Sequence, residues 1–423
     1  MTANQLQLFG QPDTSIAPLS FKDFQYYIER FSDFHKETAI LEFPDPAFDI
    51  PVYVNGFWTS RQRAAHSLHE VSYRACFKPQ LPRFFIERLT QPGDAVYDPF
   101  LGRGTTAIEA ALLERTPIGT DVNPLSEILV APRLDPPPLA AVSERLSDLP
   151  LEGECDTWDD LLAFYHPNTL RQIANLRKYV LGKQKNGSLD AVDRWIRMVA
   201  TNRLTGHSPG FFSVYTLPPN QAVTVERQRA INGSRKQTPP ERDVREPILK
   251  KSRSLLGKLK EHEAERLRVA SGTALIITGT SDSTPGIESD SISLVVTSPP
   301  FLDVVDYQTD NWLRCWFNGI DPKTVDVWHF SRPKAWQEAM TRVFVELRRV
   351  LKPGGYVSFE VGEVRSGKIL LESLVVPAAA EAGLDPLMVL VNDQIFTKTS
   401  NCWGVDNLKK GTNTNRIVLL RKH

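Results

Sequence analysis

Net charge is absent from this chain of 423 residues: Lys plus Arg and Asp plus Glu number 50 each. Composition therefore announces no nucleic-acid partner, and any basic surface has to be local. Cysteine is scarce, with four scattered residues (Cys76, Cys155, Cys315, Cys402) and no CxxC spacing. That argues against a structural zinc site or a disulfide framework and fits a reducing cytoplasm. No apolar run approaches the roughly 20 residues needed to cross a bilayer. The stretch Met1 to Ser20 has neither a basic start nor an apolar core, so it reads as a flexible tail and not as a signal peptide. The expectation is a soluble, cytoplasmic protein without a membrane partner.

What is present is an alternation of strand and helix signals. Phe24, Tyr27, Ile28, Phe31 and Phe34 recur at helical spacing and predict an amphipathic helix from Phe21 to about Phe43. A proline-rich stretch follows (Pro44, Pro46, Pro51), then a segment from His66 that ends in a second helix near Leu89. Ala95–Asp98 reads as a strand, Gly102 to Gly104 as a turn, Thr105–Leu113 as a helix and Pro117–Asp121 as another strand. This is half of a doubly wound α/β sheet. Prolines at 132 and 136–138 break the pattern, and the chain is mainly helical up to about Ala270. Strand signals resume at 274–277, 292–296, 356–359, 388–396 and 416–420. The organisation expected is a tail (1–20), an N-terminal helix with the cofactor-binding half of a sheet domain (21–130), a helical insertion (131–271) and the catalytic half (272–423).

Two strings carry the chemistry. In Asp98-Pro-Phe-Leu-Gly-Arg-Gly-Thr-Thr106, Gly102 and Gly104 permit a sharp turn and a close approach to a ligand. The helix that follows offers free N–H groups to an anion. Asp121, at the end of the next strand, is placed to accept from both hydroxyls of a ribose. Alone, the string also fits the dinucleotide pattern GxGxxG/A, so a nicotinamide cofactor and a purely structural turn both remain open.

The second string, Thr297-Ser-Pro-Pro-Phe301, ends a buried-looking strand, at the edge where open α/β sheets bind ligands. Pro299 and Pro300 fix the backbone and donate nothing, so their carbonyls, with the Ser298 hydroxyl, can accept from an NH2 group. Phe301 can stack on a base rotated out of its helix. Standing alone, the string would read as a strand terminator.

Together the strings resemble the amino-methylating DNA methyltransferases, which modify cytosine N4 or adenine N6 with S-adenosylmethionine. Asp98–Thr106 is similar to the family's cofactor motif and Thr297–Phe301 to its (D/N/S)PP(Y/F) catalytic motif. His66 to Pro82 resembles the segment over the methionine end of the cofactor, and Gly279–Asp282 the third-strand motif beside the adenine. Arg349–Gly355 resembles the turn before the fifth strand, and Gly411–Arg416 the closing hairpin. The resemblance covers about 66–126 and 272–423. It implies a class I (Rossmann-like) seven-stranded sheet of order 3-2-1-4-5-7-6, with the last strand antiparallel.

It also implies residue roles. Phe77, Lys78, Pro79, Asp98, Phe100, Gly102, Gly104, Thr105, Asp121, Asn123 and Asp282 would hold S-adenosylmethionine. Ser298, Pro299, Pro300 and Phe301 would hold the amine and stack on its base. No cysteine follows a proline at the catalytic strand, so transfer would be direct and in line. A serine in the first catalytic position goes more often with cytosine N4, while Asp or Asn goes more often with adenine N6. An RNA or protein amine methyltransferase and an inactive DNA-binding relative are the other readings. The motif order is that of the family's alpha arrangement, but the long insert lies before Gly279–Asp282 instead of after it.

Sequence recognition in the family sits in a variable insert, for which 131–271 is the candidate. From 226 to 268, thirteen Lys/Arg stand against seven Asp/Glu, and Lys250, Lys251 and Arg253 suit phosphate contacts on double-stranded DNA. The segment Asn202–Tyr215 mixes glycine, His207 and aromatics in a loop, where a histidine is more often structural than catalytic. In the tail, Gln5, Leu6, Leu8 and Phe9 resemble the peptide by which bacterial proteins dock on the replication sliding clamp. A cognate restriction endonuclease is a further partner the resemblance suggests, and the bacterial nucleoid the place of action.

Overall fold

The computed structural model describes residues 17–34, 36–58, 65–73, 76–156, 158–216, 222–302, 307–365, 368–393 and 415–423. The clamp-like peptide, Cys402 and residues 411–414 of the closing hairpin lie outside these. Five parallel strands form the centre of the sheet: β3 (Ala95–Asp98), β4 (Thr116–Asp121), β5 (Leu275–Thr278), β6 (Ile292–Thr297) and β7 (Leu351–Val361). β10 (Asp385–Asn392) and β11 (Asn415–Arg421) extend it, with β11 antiparallel to both its neighbours, while β8 (Glu363–Val364) and β9 (Ile369–Leu370) form a separate antiparallel pair. The spatial order β5-β4-β3-β6-β7-β11-β10 is the 3-2-1-4-5-7-6 order of a class I methyltransferase fold. Both faces are covered, which is why Ile292, Leu294, Val295 and Val296 form an almost continuous apolar run.

Two strands beyond the expected seven widen the sheet to nine. β2 (Pro51–Asn55) pairs in parallel with β10, and β1 (Ala39–Glu42) pairs antiparallel with β2. Correspondingly, the first helix is shorter than expected: α1 spans Phe21–Glu29 and does not run to Phe43. The reason is a buried side chain. Asn55 Nδ2 donates to the carbonyls of Phe31 (2.9 Å) and Lys36 (3.0 Å) and to Thr38 Oγ1 (3.0 Å), and Thr38 Oγ1 donates to the Ile28 carbonyl (2.9 Å). These bonds take carbonyls that a longer helix would need and turn the chain into β1. The apolar face of α1 is not lost, since Phe24 and Ile28 pack with Phe84 and Phe85 of α2 (Gln80–Leu89) under the sheet.

The helical insertion begins inside α4 (Leu125–Leu134), the helix that leaves β4, so the expected boundary at 131 cuts an element. It continues through α5 (Leu139–Asp148), α6 (Pro167–Lys185), α7 (Ala191–Thr201), α8 (Val225–Arg235), α9 (Arg245–Leu256) and α10 (Glu261–Thr273). Its core is shared with the sheet domain. Phe164, Trp195 and Leu255 belong to one apolar cluster with Ile108 of α3 (Thr105–Leu112), Leu129 of α4, and Leu313 and Phe317 of α11 (Tyr307–Asn318). Burial against these helices fixes where the insertion stands relative to the cofactor turn.

That turn and α4 meet at Gly104, which has φ +72° and would place a Cβ 2.4 Å from the Val130 side chain. Gly104→Ala should therefore destabilise the protein by about 2–3 kcal/mol, from left-handed strain and overpacking together. Urea unfolding with and without the substitution measures it; a loss below half that size would remove the packing argument.

Candidate active site

At the carboxyl ends of β3, β4 and β6 lies a cleft of about 830 Å³, part of it open to solvent. Its lining includes Phe77, Asp98, Phe100, Gly102, Thr105, Asp121, Asn123, Ser298 and Pro300. Two strings nearly 200 positions apart in sequence thus face one space. A buried hydrogen bond joins them directly: Thr297 Oγ1 donates to Asp98 Oδ1 at 2.6 Å. A second tie runs from Thr106 Oγ1 to the Val296 carbonyl at 2.9 Å.

The cofactor side is built from backbone donors and one carboxylate. Gly102 has φ +51°, and its N–H donates to Asp121 Oδ2 at 2.7 Å; the Asn123 N–H donates to Oδ1 at 2.8 Å. Each oxygen keeps room for a further donor, as two ribose hydroxyls require. Burial, against these hydrogen bonds, raises the Asp121 carboxyl above its ordinary value, so further donors would be welcome there. Phe100 offers an aromatic wall that meets Trp328 edge to face, with centroids 6.4 Å apart. Trp328 and Val327 close the cleft from a segment the sequence reading did not single out. An isolated tryptophan in a loop gives no periodic signal.

Arg103, the residue between the two glycines, was also missed. Buried, it donates to the carbonyls of His69 (3.2 Å), Val71 (3.0 Å) and Phe77 (3.4 Å) and to Thr105 Oγ1 (3.2 Å). Arg133 of α4 bonds the Leu68 and Arg103 carbonyls. These arginines hold the 66–79 segment against the glycine turn. Below it His69 Nε2 and Arg83 Nε meet the buried Glu109 at 2.6 and 2.8 Å. Burial pushes His69 down to about 4, so this imidazole is neutral and structural at ordinary pH.

Some expected residues stand elsewhere. Asp282 pairs with Arg342 Nε of α12 (Pro333–Val350) at 3.2 Å and does not line the cleft, whereas Ser281 does. Lys78, Pro79, Gly104, Pro299 and Phe301 lie close in sequence to lining residues without lining it themselves. The Phe301 ring packs on the core beneath β6. On α9, Lys250 and Arg253 are exposed, but Lys251 is paired with Glu70 at 3.1 Å.

The catalytic string has two partners that sequence did not predict. Trp336 Nε1 donates to the Pro300 carbonyl at 2.9 Å, which fixes that carbonyl's direction and occupies one of its two lone pairs. Glu360, on β7 beside β6, is buried and receives hydrogen bonds from the Ser298 hydroxyl and from Asn415 Nδ2 (2.6 Å). Burial raises it to about 7 despite those bonds.

The N6/N4 DNA methylase family matches residues 48–127, which contain the glycine turn and Asp121. Over that segment the chain is similar to the amino-methylating DNA methyltransferases. Type II methyltransferase M.BsoBI of Geobacillus stearothermophilus is 24% identical over 353 residues, covering 75% of this chain and 64% of the relative. Type II methyltransferase M.MvaI of Kocuria varians is 28% identical over 148 residues, 34% of this chain and 29% of its own. The chain spans less than two thirds of the length of the curated relatives it matches. S-adenosylmethionine is the cofactor, and the residues present fit it: the glycine turn would meet its methionine end, Asp121 its ribose hydroxyls and Phe100 its adenine.

Asp98 supplies a test of the site's electrostatics. Burial raises it from 3.8 to about 7, against the bonds from Thr297 and Phe100. A carboxyl raised on folding binds its proton more tightly in the native state, so its contribution to stability is present below about 4 and is lost as pH climbs to about 7. The cofactor-free protein should lose melting temperature between pH 5 and pH 8 by more than Asp98→Asn does. Equal losses would show that Asp98 is not the titrating group.

Proposed function

We propose that the chain methylates the exocyclic N4 amine of cytosine in duplex DNA, on a base rotated out of the helix into the cleft. The observation that carries this reading is Ser298 and Pro300 sharing one cleft with the glycine turn, across the bond between Thr297 and Asp98. When bound, the cofactor supplies an electrophilic methyl group on sulfur. Everything else falls to the protein: holding the amine in line, excluding water and removing a proton.

The Ser298 hydroxyl and the proline carbonyls beside it are the acceptors for the two amine hydrogens; Pro300 lines the cleft, and its carbonyl, aimed by Trp336, keeps a second lone pair. Accepting from both favours a tetrahedral nitrogen with its lone pair free. Once that nitrogen gains a carbon it carries one proton too many. Ser298 Oγ accepts this proton and passes its own to Glu360, to which it already donates. A carboxyl near 7 suits that task at neutral pH. The serine at this position, where relatives with Asp or Asn more often modify adenine, favours cytosine.

The exposed Lys250 and Arg253 on α9, with Lys251 beside them once its pair to Glu70 opens, suit DNA phosphates, and the helical insertion is the region we assign to reading sequence. The same reading proposes the sliding clamp, met through the tail peptide, and a cognate endonuclease as partners, with the nucleoid as the place of action. No helix among the described residues is long and apolar enough to cross a membrane.

Sequencing of plasmid from expressing cells, by a method that separates modified bases, tests the function. Modified cytosine in one short motif is expected; modified adenine overturns the base assignment, and unmodified DNA overturns the reading. Ser298→Ala should slow transfer by about 10³-fold and Glu360→Gln by about 10²-fold, with cofactor affinity nearly unchanged. The wild-type rate should rise with pH to a plateau above about 7, as Glu360 ionises, and Glu360→Gln should lack that rise. Loss of cofactor binding in parallel with rate would contradict the roles given to both residues.

A further inference from the structure

The loop between α7 and α8 carries a charge that the described residues leave unanswered. Arg203 is 8% exposed, its Nε has no hydrogen-bond partner, and no carboxylate pairs with it among the described residues. Its guanidinium lies over the ring of Phe211 at 4.1 Å, on the same loop. The loop is closed there by the Phe212 N–H, which donates to the Arg203 carbonyl at 2.8 Å. A ring under one face fixes the guanidinium plane and leaves its edge N–H groups free to meet an anion.

Neighbouring charges sharpen the imbalance. Arg314 of α11 is close enough to lower Arg203, which burial and this second cation bring down to about 10. Lys251 of α9 also feels Arg203, but has Glu70 at 3.1 Å, and Arg314 has Asp310 nearby. Arg203 has neither. A buried cation without a counter-charge weakens the fold, and such local conflicts are expected at functional sites.

The place is informative as well. Arg314 donates to the Ser72 carbonyl at 3.1 Å, and the next residue, Tyr73, lines the cleft. Arg314 stands on the helix that follows the catalytic string, while Arg203 comes from the insertion. The pair thus lies where insertion, cleft wall and catalytic helix meet.

We propose that Arg203, beside Arg314, grips a backbone phosphodiester of the strand whose base enters the cleft. The proposal rests on the DNA reading above. A planar guanidinium fork matches two phosphate oxygens, and phosphate supplies the anion the loop lacks.

Binding of the full chain with S-adenosylmethionine to a duplex oligonucleotide, measured across salt concentrations, tests it. Arg203→Gln should weaken binding about tenfold and flatten the slope of log K against log salt by about 0.9, the loss of one phosphate contact. Arg203→Lys should keep the slope. Without DNA, Arg203→Gln should melt at or above the wild-type temperature, because an unanswered buried charge is gone; a merely structural arginine would lower it. An unchanged slope in Arg203→Gln overturns this site and leaves the DNA reading standing. Wild type that binds no duplex overturns both. If inorganic phosphate stabilises wild type but not Arg203→Gln while the slope stays unchanged, the site is one for free phosphate and the proposal fails.

Discussion

One buried hydrogen bond, from Thr297 to Asp98, holds the two halves of this site together. β3 ends in Asp98, which opens the glycine turn, and β6 ends in Thr297, which precedes Ser298, the serine to which we assign the amine. Neighbouring parallel strands alone would set these ends side by side, but the bond fixes their relative height. It does so at a cost, since Asp98 is desolvated and raised to about 7. The Thr106 bond to the Val296 carbonyl repeats the tie one turn further on. In-line transfer between a cofactor and an amine needs this kind of rigidity, because the reacting atoms must meet within a few tenths of an ångström.

Around that tie, charged side chains act as mechanical parts. Arg103 and Arg133 bond backbone carbonyls and so bind the 66–79 segment to the turn it covers. Glu109 binds His69 and Arg83 below it. Trp336 fixes the Pro300 carbonyl, and Glu360 orients Ser298 from the next strand. Arg203 differs from all of these: its guanidinium rests on the Phe211 ring and meets no carboxylate among the described residues.

The sheet order and the convergence of the two strings were legible because each depends on local chemistry: a glycine turn after a short strand, two prolines after another. The widening strands β1 and β2 were not. All four residues of β1 are exposed, so its side chains show no alternation between core and solvent, and β2 begins with Pro51 among other prolines. Helical spacing ran on past Glu29 because Phe31 also enters the core, although from a turn held by Asn55. Glu360 left a clue that went unused. In Tyr356-Val-Ser-Phe-Glu-Val361, polar residues alternate as on a solvent-facing strand, yet the strand is central and both faces are covered. A carboxylate in that position must have a local purpose. Arg103 and Trp328 could not be found in this way, since their partners are distant backbone carbonyls and a loop packed across the cleft.

On the proposed function, the Thr297–Asp98 bond sets the distance between cofactor and amine. Thr297→Val removes the hydroxyl and keeps the shape, so single-turnover methyl transfer at saturating cofactor and DNA measures the bond's worth. Transfer should slow by about ten- to a hundredfold, with the cofactor dissociation constant within about twofold of wild type. An unchanged rate, or a rate lost only in proportion to cofactor binding, would contradict it.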